Sequence, residues 1–146
     1  MGITNYGSAI KTGSGLGNGD DSGFVVLSKS VVVDHVVEDG AGSDNVNVAI
    51  KLPPGSQIIE LYVDTLTAWN SVTSAGLTVG STAGGAEYCS SVDVKSAGRE
   101  VASYTAAQLA ALDDIGANTS VYARVAQVGN TSAGQARVTV LYSQKM

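Results

Sequence analysis

Residues 120–143 read SVYARVAQVGNTSAGQARVTVLYS, which is the clearest β-strand pattern in the chain. Apolar residues alternate with other residues over Val121–Val128 and again over Ala136–Tyr142. The connection GNTSAG, residues 129–134, consists mainly of residue types that favour turns. Two alternating, β-favouring runs joined by a short loop predict an antiparallel β-hairpin.

The amino-acid composition argues against some classes of binding partner. The chain has 146 residues, enough for one domain with a sizeable core but short for two. Its formal net charge is -5, and only 14% of its residues are charged. Nucleic acids and anionic membranes are bound through clustered cations, so we expect neither as a partner. A surface built from Ser, Thr, Gly, Asn and Ala instead suits contact with other proteins.

Sequence signals for secretion or membrane insertion are lacking. The first residues have no apolar stretch of signal-peptide type, and no run approaches the roughly 18 apolar residues of a membrane span. Cys89 is the one cysteine, so the fold does not depend on a disulfide or an oxidising compartment. We therefore expect synthesis in the cytosol.

The chain divides into two regions of different character. Residues 1–23 are rich in glycine and carry only scattered apolar side chains. Such a segment cannot bury enough apolar surface to offset its conformational entropy, so a flexible N-terminal arm is predicted. Residues 24–146 are rich in β-branched residues and are predicted to form the folded domain.

Further runs in the folded domain predict β-strands separated by Gly/Ser/Pro turns. They cover residues 24–37 (one strand, or two interrupted near 28–30), 46–52, 57–68, 77–79, 91–95 and 99–103. On 57–68 one face is predicted to carry Ile59, Leu61, Val63, Thr65 and Thr67. About eight strands without a βαβ pattern predict an all-β fold, an antiparallel, jelly-roll-like β-sandwich.

One helical signal interrupts the strands. Thr105 and Gln108 have the spacing of a capping box, and good helix formers follow as far as Leu112. A short helix is therefore predicted near residues 105–112.

Residues with catalytic or metal-binding chemistry are few. His35 is the single histidine, and no GxSxG elbow accompanies it, so a hydrolase centred on His35 is disfavoured and no enzyme is expected. The run Asn18–Gly23 resembles half of a calcium loop but has Lys29 where a bidentate Glu is needed. The acids at 38–39, 44 and 113–114 lie in predicted loops, and the glycine run 13–19 lacks phosphate-loop spacing. We expect no metal and no cofactor.

Three segments follow one another in the later part of the chain. They are LPPGSQIIELYVDTLTAWNS (52–71), SVDVKSAGREVASYTAAQLAALDD (91–114) and TSVYARVAQVGNTSAGQARVTVLY (119–142). In this order they resemble the head decoration, or capsid cement, proteins of tailed bacteriophages, over Pro53–Tyr142. The resemblance implies a structural virion protein, assembled in the host cytoplasm, that forms homo-oligomers, commonly trimers. It also implies binding to the major capsid protein on the outer capsid surface, which stabilises contacts between the capsid subunits.

This hypothesis assigns partner binding to apolar residues of the arm, to one aromatic residue and to isolated cations. These residues are Ile3, Tyr6, Ile10, Leu16, Trp69, Arg99, Arg124 and Arg137. Arg124 and Arg137 are expected near each other or near a carboxylate such as Asp64. An alternative function is a β-sandwich of a phage tail or fibre that binds host-surface carbohydrate, for which aromatic rings form a stacking platform. Its candidate rings are Tyr62, Trp69, Tyr88 and Tyr104.

Overall fold

Eight β-strands and one α-helix make up residues 25–36 and 46–144, the part of the chain that the computed structural model describes. The elements are β1 (Val26–Asp34), β2 (Val46–Lys51), β3 (Ser56–Thr67), β4 (Ser74–Gly80), β5 (Cys89–Asp93), β6 (Gly98–Val101), α1 (Ala106–Asp113), β7 (Ser120–Val128) and β8 (Gln135–Gln144). The arm predicted for residues 1–23 lies outside the described residues. In the described ranges, no helix has the length and apolar character of a membrane span.

The strands form two antiparallel four-stranded sheets. One has the order β1-β8-β3-β6 and the other β2-β7-β4-β5. The first strand therefore pairs with the last, the second with the seventh, the third with the sixth and the fourth with the fifth. This nesting is a jelly roll, in which a long folded-back chain is rolled into two facing sheets. The predicted all-β sandwich is confirmed, as is the short helix predicted near residues 105–112.

The predicted hairpin between β7 and β8 is wrong. Strand β7 lies between β2 and β4, whereas β8 lies between β1 and β3 in the opposite sheet. The loop 129–134 crosses from one sheet to the other, and Asn70 holds it: Asn70 Oδ1 accepts from the backbone N–H groups of Ser132 and Ala133 at 3.0 and 3.1 Å. Alternating apolar residues predict a strand and its buried face, but they carry no information about the hydrogen-bonded neighbour.

The core fills the space between the sheets. The alternation on the last two strands gives the correct buried faces: Val121, Ala123, Val125, Ala136, Val138 and Val140 are all 0% exposed. Each fully buried valine contributes about 1.5–3 kcal/mol relative to an exposed one. Trp69, in the β3–β4 connection, is the largest fully buried side chain.

Strand β3 departs from simple alternation at two points. Its pairing register with β8 shifts between Ile58 and Glu60, so Ile59 is an extra residue. As a result Ile58 is buried and Ile59 is 45% exposed, the reverse of the predicted faces at this end. Leu61, Val63 and Thr65, which were predicted to share a face, are all buried, whereas Thr67 of the same predicted face is exposed. A second shift at Leu66 leaves that side chain exposed.

Helix α1 begins with the predicted capping box. Gln108 N donates to Thr105 Oγ1 at 3.3 Å, and Thr105 N donates to Gln108 Oε1 at 2.9 Å. The same Gln108 side chain donates from Nε2 to the carbonyl of Ala86 at 3.0 Å. Gln108 therefore also links the start of the helix to the β4–β5 connection by a hydrogen bond.

Candidate functional site

Three charged side chains form one row across the β1-β8-β3-β6 sheet. Asp64 on β3 pairs with Arg99 on β6 on one side and with Arg137 on β8 on the other. Directly opposed residues project from the same face of a sheet. The sequence neighbours Val63 and Val138 are buried in the core, so the charged row lies on the outer face.

Both arginines hold the carboxylate of Asp64. Arg99 Nε donates to Asp64 Oδ1 at 2.5 Å, and its Nη2 donates to Oδ2 at 3.0 Å. Arg137 donates from Nη2 to Oδ2 at 2.8 Å, with a longer contact of 3.3 Å from its Nε. The bidentate Arg99 pair fixes the geometry, because a planar guanidinium matches a planar carboxylate.

The electrostatics of this triad favour the ionised forms. The hydrogen bond from Arg99, followed by that from Arg137, lowers the pKa of Asp64 well below its usual range, although burial opposes the shift. Asp64 in turn raises the pKa of Arg99. At neutral pH two cations therefore face one anion, and the triad carries a net charge of about +1.

Aromatic and apolar side chains surround the triad. Arg99 Cζ lies 4.5 Å from the centroid of the Tyr62 ring, a cation–π contact. Val101 is directly opposite Tyr62 and is 55% exposed, and Val32 is directly opposite Arg137 and is 46% exposed. We call this surface the triad face; it comprises Val32, Tyr62, Asp64, Arg99, Val101 and Arg137.

Arg124 does not belong to the triad face, because it lies on the other sheet. It belongs to β7, where it is opposite Asn47 on one side and Thr78 on the other, on the second sheet. Its guanidinium packs against Gly84, and among the described residues it has no hydrogen bond or ion pair. The expected contact with Asp64 is thus made by Arg137, while Arg124 and Arg137 are on opposite sheets.

Trp69, which was also assigned to partner binding, is not on the triad face. Trp69 is 1% exposed, and its indole packs against Gly134 inside the protein. Ile3, Tyr6, Ile10 and Leu16 are outside the described residues.

The Arg137–Asp64 contact was one of the expected alternatives, but the pairing of Arg99 with Asp64 was missed in the sequence. Asp64 and Arg99 meet only through the pairing of β3 with β6, and the sequence does not reveal that pairing.

His35 is part of a small polar cavity of about 150 Å³. Its Nδ1 lies 3.1 Å from Asp34 Oδ1 and 3.2 Å from the carbonyl oxygen of Gly134. Among the described residues no hydroxyl or thiol hydrogen-bonds to the other ring nitrogen, so a nucleophile–His–Asp arrangement is not assembled there.

The four candidate sugar-binding rings do not form a platform. Trp69 and Tyr88 are buried, and the Tyr104 hydroxyl accepts a hydrogen bond from Leu61 N at 2.8 Å. Tyr62 lies beneath Arg99. Over residues 25–36 and 46–144, there is also no group of three or more His, Cys, Asp or Glu placed to hold a metal ion.

Comparison with known proteins gives a fold match. Neither a model of a known protein family nor a curated protein sequence matches the chain. A chain in the capsid of Ralstonia phage GP4 has a similar structure, with 12% identity, a TM-score of 0.52 and 86% of each chain covered. A chain in the acid-stable capsid of Helicobacter pylori bacteriophage KHP30 is 16% identical over 80% of this chain and 93% of that one, with a TM-score of 0.41. At 12% identity the GP4 match shows a shared fold and no more. The KHP30 match has a TM-score below 0.5 and supports no inference.

Proposed function

We propose that this protein is a structural component of a phage capsid, a decoration or cement protein bound to the outer surface of the shell. In this role it stabilises contacts between subunits of the major capsid protein. The observation that supports the proposal most is the jelly-roll similarity to a chain of the Ralstonia phage GP4 capsid, which extends over 86% of both chains.

The triad face is the surface that we assign to the shell. It combines arginine, tyrosine and exposed valine, and arginine and aromatic residues are enriched in protein interfaces and their energetic hot spots. Its arginines are positioned by cross-strand pairing on rigid strands rather than by loops, so little side-chain entropy remains to be lost on binding. We further propose that the arm residues Ile3, Tyr6, Ile10 and Leu16 form a second contact, and that the protein binds as a homotrimer.

The many equivalent binding sites of a shell would strengthen the binding of an oligomer. A shell presents many equivalent sites, and an oligomer with several modest contacts binds more tightly than one copy alone. The low charge content of the chain also suits the repeated burial of surface against other proteins.

Binding to assembled shells tests the proposal. Purified protein is mixed with empty, expanded shells of the major capsid protein encoded in the same genome, and the shells are sedimented. We expect saturable co-sedimentation with a fixed number of copies per capsid subunit. Protein that stays in the supernatant at micromolar concentration, while the shells sediment intact, would refute the proposed function.

A further inference from the structure

We propose that the triad face recognises a carboxylate of the shell protein, an Asp or Glu side chain surrounded by apolar residues. This inference rests on the proposed function and specifies the chemistry of the partner surface. It follows from the charge, exposure and unused hydrogen-bond donors of the triad.

The cations of the triad, not its anion, face the solvent. The side chain of Asp64 is only 11% exposed, whereas those of Arg99 and Arg137 are 59% and 44% exposed. An approaching protein surface therefore meets two guanidinium groups. The triad thus presents positive charge in a chain of net charge -5.

Both guanidinium groups keep a donor for a second acceptor. The hydrogen bonds to Asp64 use Nε and Nη2 of each arginine. The Nη1 groups of Arg99 and Arg137 make no hydrogen bond to the described residues. A carboxylate has acceptor sites on both oxygens and can bridge two such groups, giving an alternating arrangement of two cations and two anions.

The surroundings of the triad favour a contact that excludes water. Val32 lies beside Arg137, and Val101 lies beside Tyr62, which supports Arg99. Apolar contacts around a charged pair lower the local dielectric and strengthen the pair. Glu60, on the same strand face as Tyr62, forms no ion pair with either arginine, so the position for a second carboxylate is not taken by it.

Other anionic partners fit less well. Two arginines in an acidic chain do not form the extended basic patch that nucleic acid requires. A second copy of this chain also offers carboxylates, so the experiment must separate self-association from shell binding.

The decisive variant neutralises the triad without leaving an unpaired buried charge. In Asp64→Asn/Arg99→Gln/Arg137→Gln, amides replace all three ions and the net charge falls by one. Lys95→Gln is the matched control, because it makes the same net change on a lysine that bonds to Thr73 O beside the second sheet. Both are compared with the unmodified protein by co-sedimentation with the empty shells, at about 50 and 500 mM NaCl.

We expect the triple variant to bind shells about tenfold or more weakly at low salt and to lose most of its salt dependence. Lys95→Gln should bind like the unmodified protein. Equal binding by the triple variant, with unchanged salt dependence, overturns the inference and leaves the proposed function standing. Unmodified protein that does not bind shells overturns both.

A single substitution keeps the inference testable if the triple variant fails to fold. Asp64→Asn raises the charge of the triad by one, so binding at low salt should strengthen and depend more steeply on salt. Weaker binding by a folded Asp64→Asn variant contradicts the inference. Sedimentation velocity without shells is the remaining check: a triple variant that loses self-association while binding shells normally places the triad between copies of this chain and overturns the inference.

Discussion

The indole of Trp69 lies against the backbone of Gly134, so closely that a Cβ atom at residue 134 would overlap the ring. The two residues join the β3–β4 connection to the loop that crosses between the sheets. Neighbouring backbone bonds reinforce the junction, since Asn70 N donates to Ala133 O at 3.2 Å and His35 N donates to Gly134 O at 3.0 Å. This contact fixes where β8 enters its sheet.

Gly134→Ala should destabilise the fold by about 1–3 kcal/mol, because the added methyl group must displace a fully buried ring. Chemical denaturation measures the free energy of unfolding. Gly76→Ala is the control: there the new Cβ would meet the Ser91 hydroxyl at 2.9 Å, and that side chain can rotate away. Equal stability of the two variants would show that the Trp69 contact does not constrain the fold.

Removal of the Asn70 amide should loosen the crossing loop. Its Oδ1 accepts from two backbone N–H groups, and its Nδ2 donates to Ser132 Oγ at 2.8 Å. We expect Asn70→Ala to cost about 1–2 kcal/mol in unfolding free energy. Asn70→Asp keeps the acceptor and should cost less. Amide hydrogen exchange at Ser132 and Ala133 would then rise in Asn70→Ala; unchanged exchange would contradict the assigned role.

Acid should weaken the stabilisation that ionised Asp64 provides. The pKa of Asp64 is lowered in the folded state from the model-compound value of 3.8, by hydrogen bonds from Arg99 and then Arg137. Its contribution is therefore fully present above pH 3.8 and is lost as the pH falls below that value towards the lowered pKa. The difference in unfolding free energy between the unmodified protein and Asp64→Asn should shrink over that acidic range. A difference that stays constant down to pH about 2 would argue against the ion pairs.

Deletion of residues 2–23 should separate folding from shell binding. The first described strand begins at Val26, so the deletion ends before any described element. We expect the same β-rich circular dichroism spectrum and a similar melting temperature, with weakened co-sedimentation on empty shells. Undiminished binding would remove the arm from the proposed contacts, and a loss of the cooperative melt would show that the arm belongs to the folded domain.

Local patterns in the sequence predicted the elements of this fold well. Thr105 and Gln108 define the helix start because a capping box is a contact between residues three apart. The buried alternation on β7 and β8 was predictable because it depends on each strand alone.

Relationships between distant strands were not predictable in this way. The predicted hairpin was wrong because the short loop after Val128 connects strands of different sheets. The length of a loop does not determine which strands pair. Ile59 was placed on the same face as Leu61 because a bulge cannot be recognised from alternation. Asp64 was named as a carboxylate for Arg137, but its pairing with Arg99 was missed, because the two meet only after strands from separate parts of the chain are aligned.

Cryo-electron microscopy of the proposed phage particle is the most direct test of the assignment to the outer capsid surface. We expect jelly-roll density on the outer capsid surface, with the triad face against the major capsid protein and a carboxylate between Arg99 and Arg137. Density in the tail, or within the shell, or on the outer surface with the triad face turned to solvent, would contradict it.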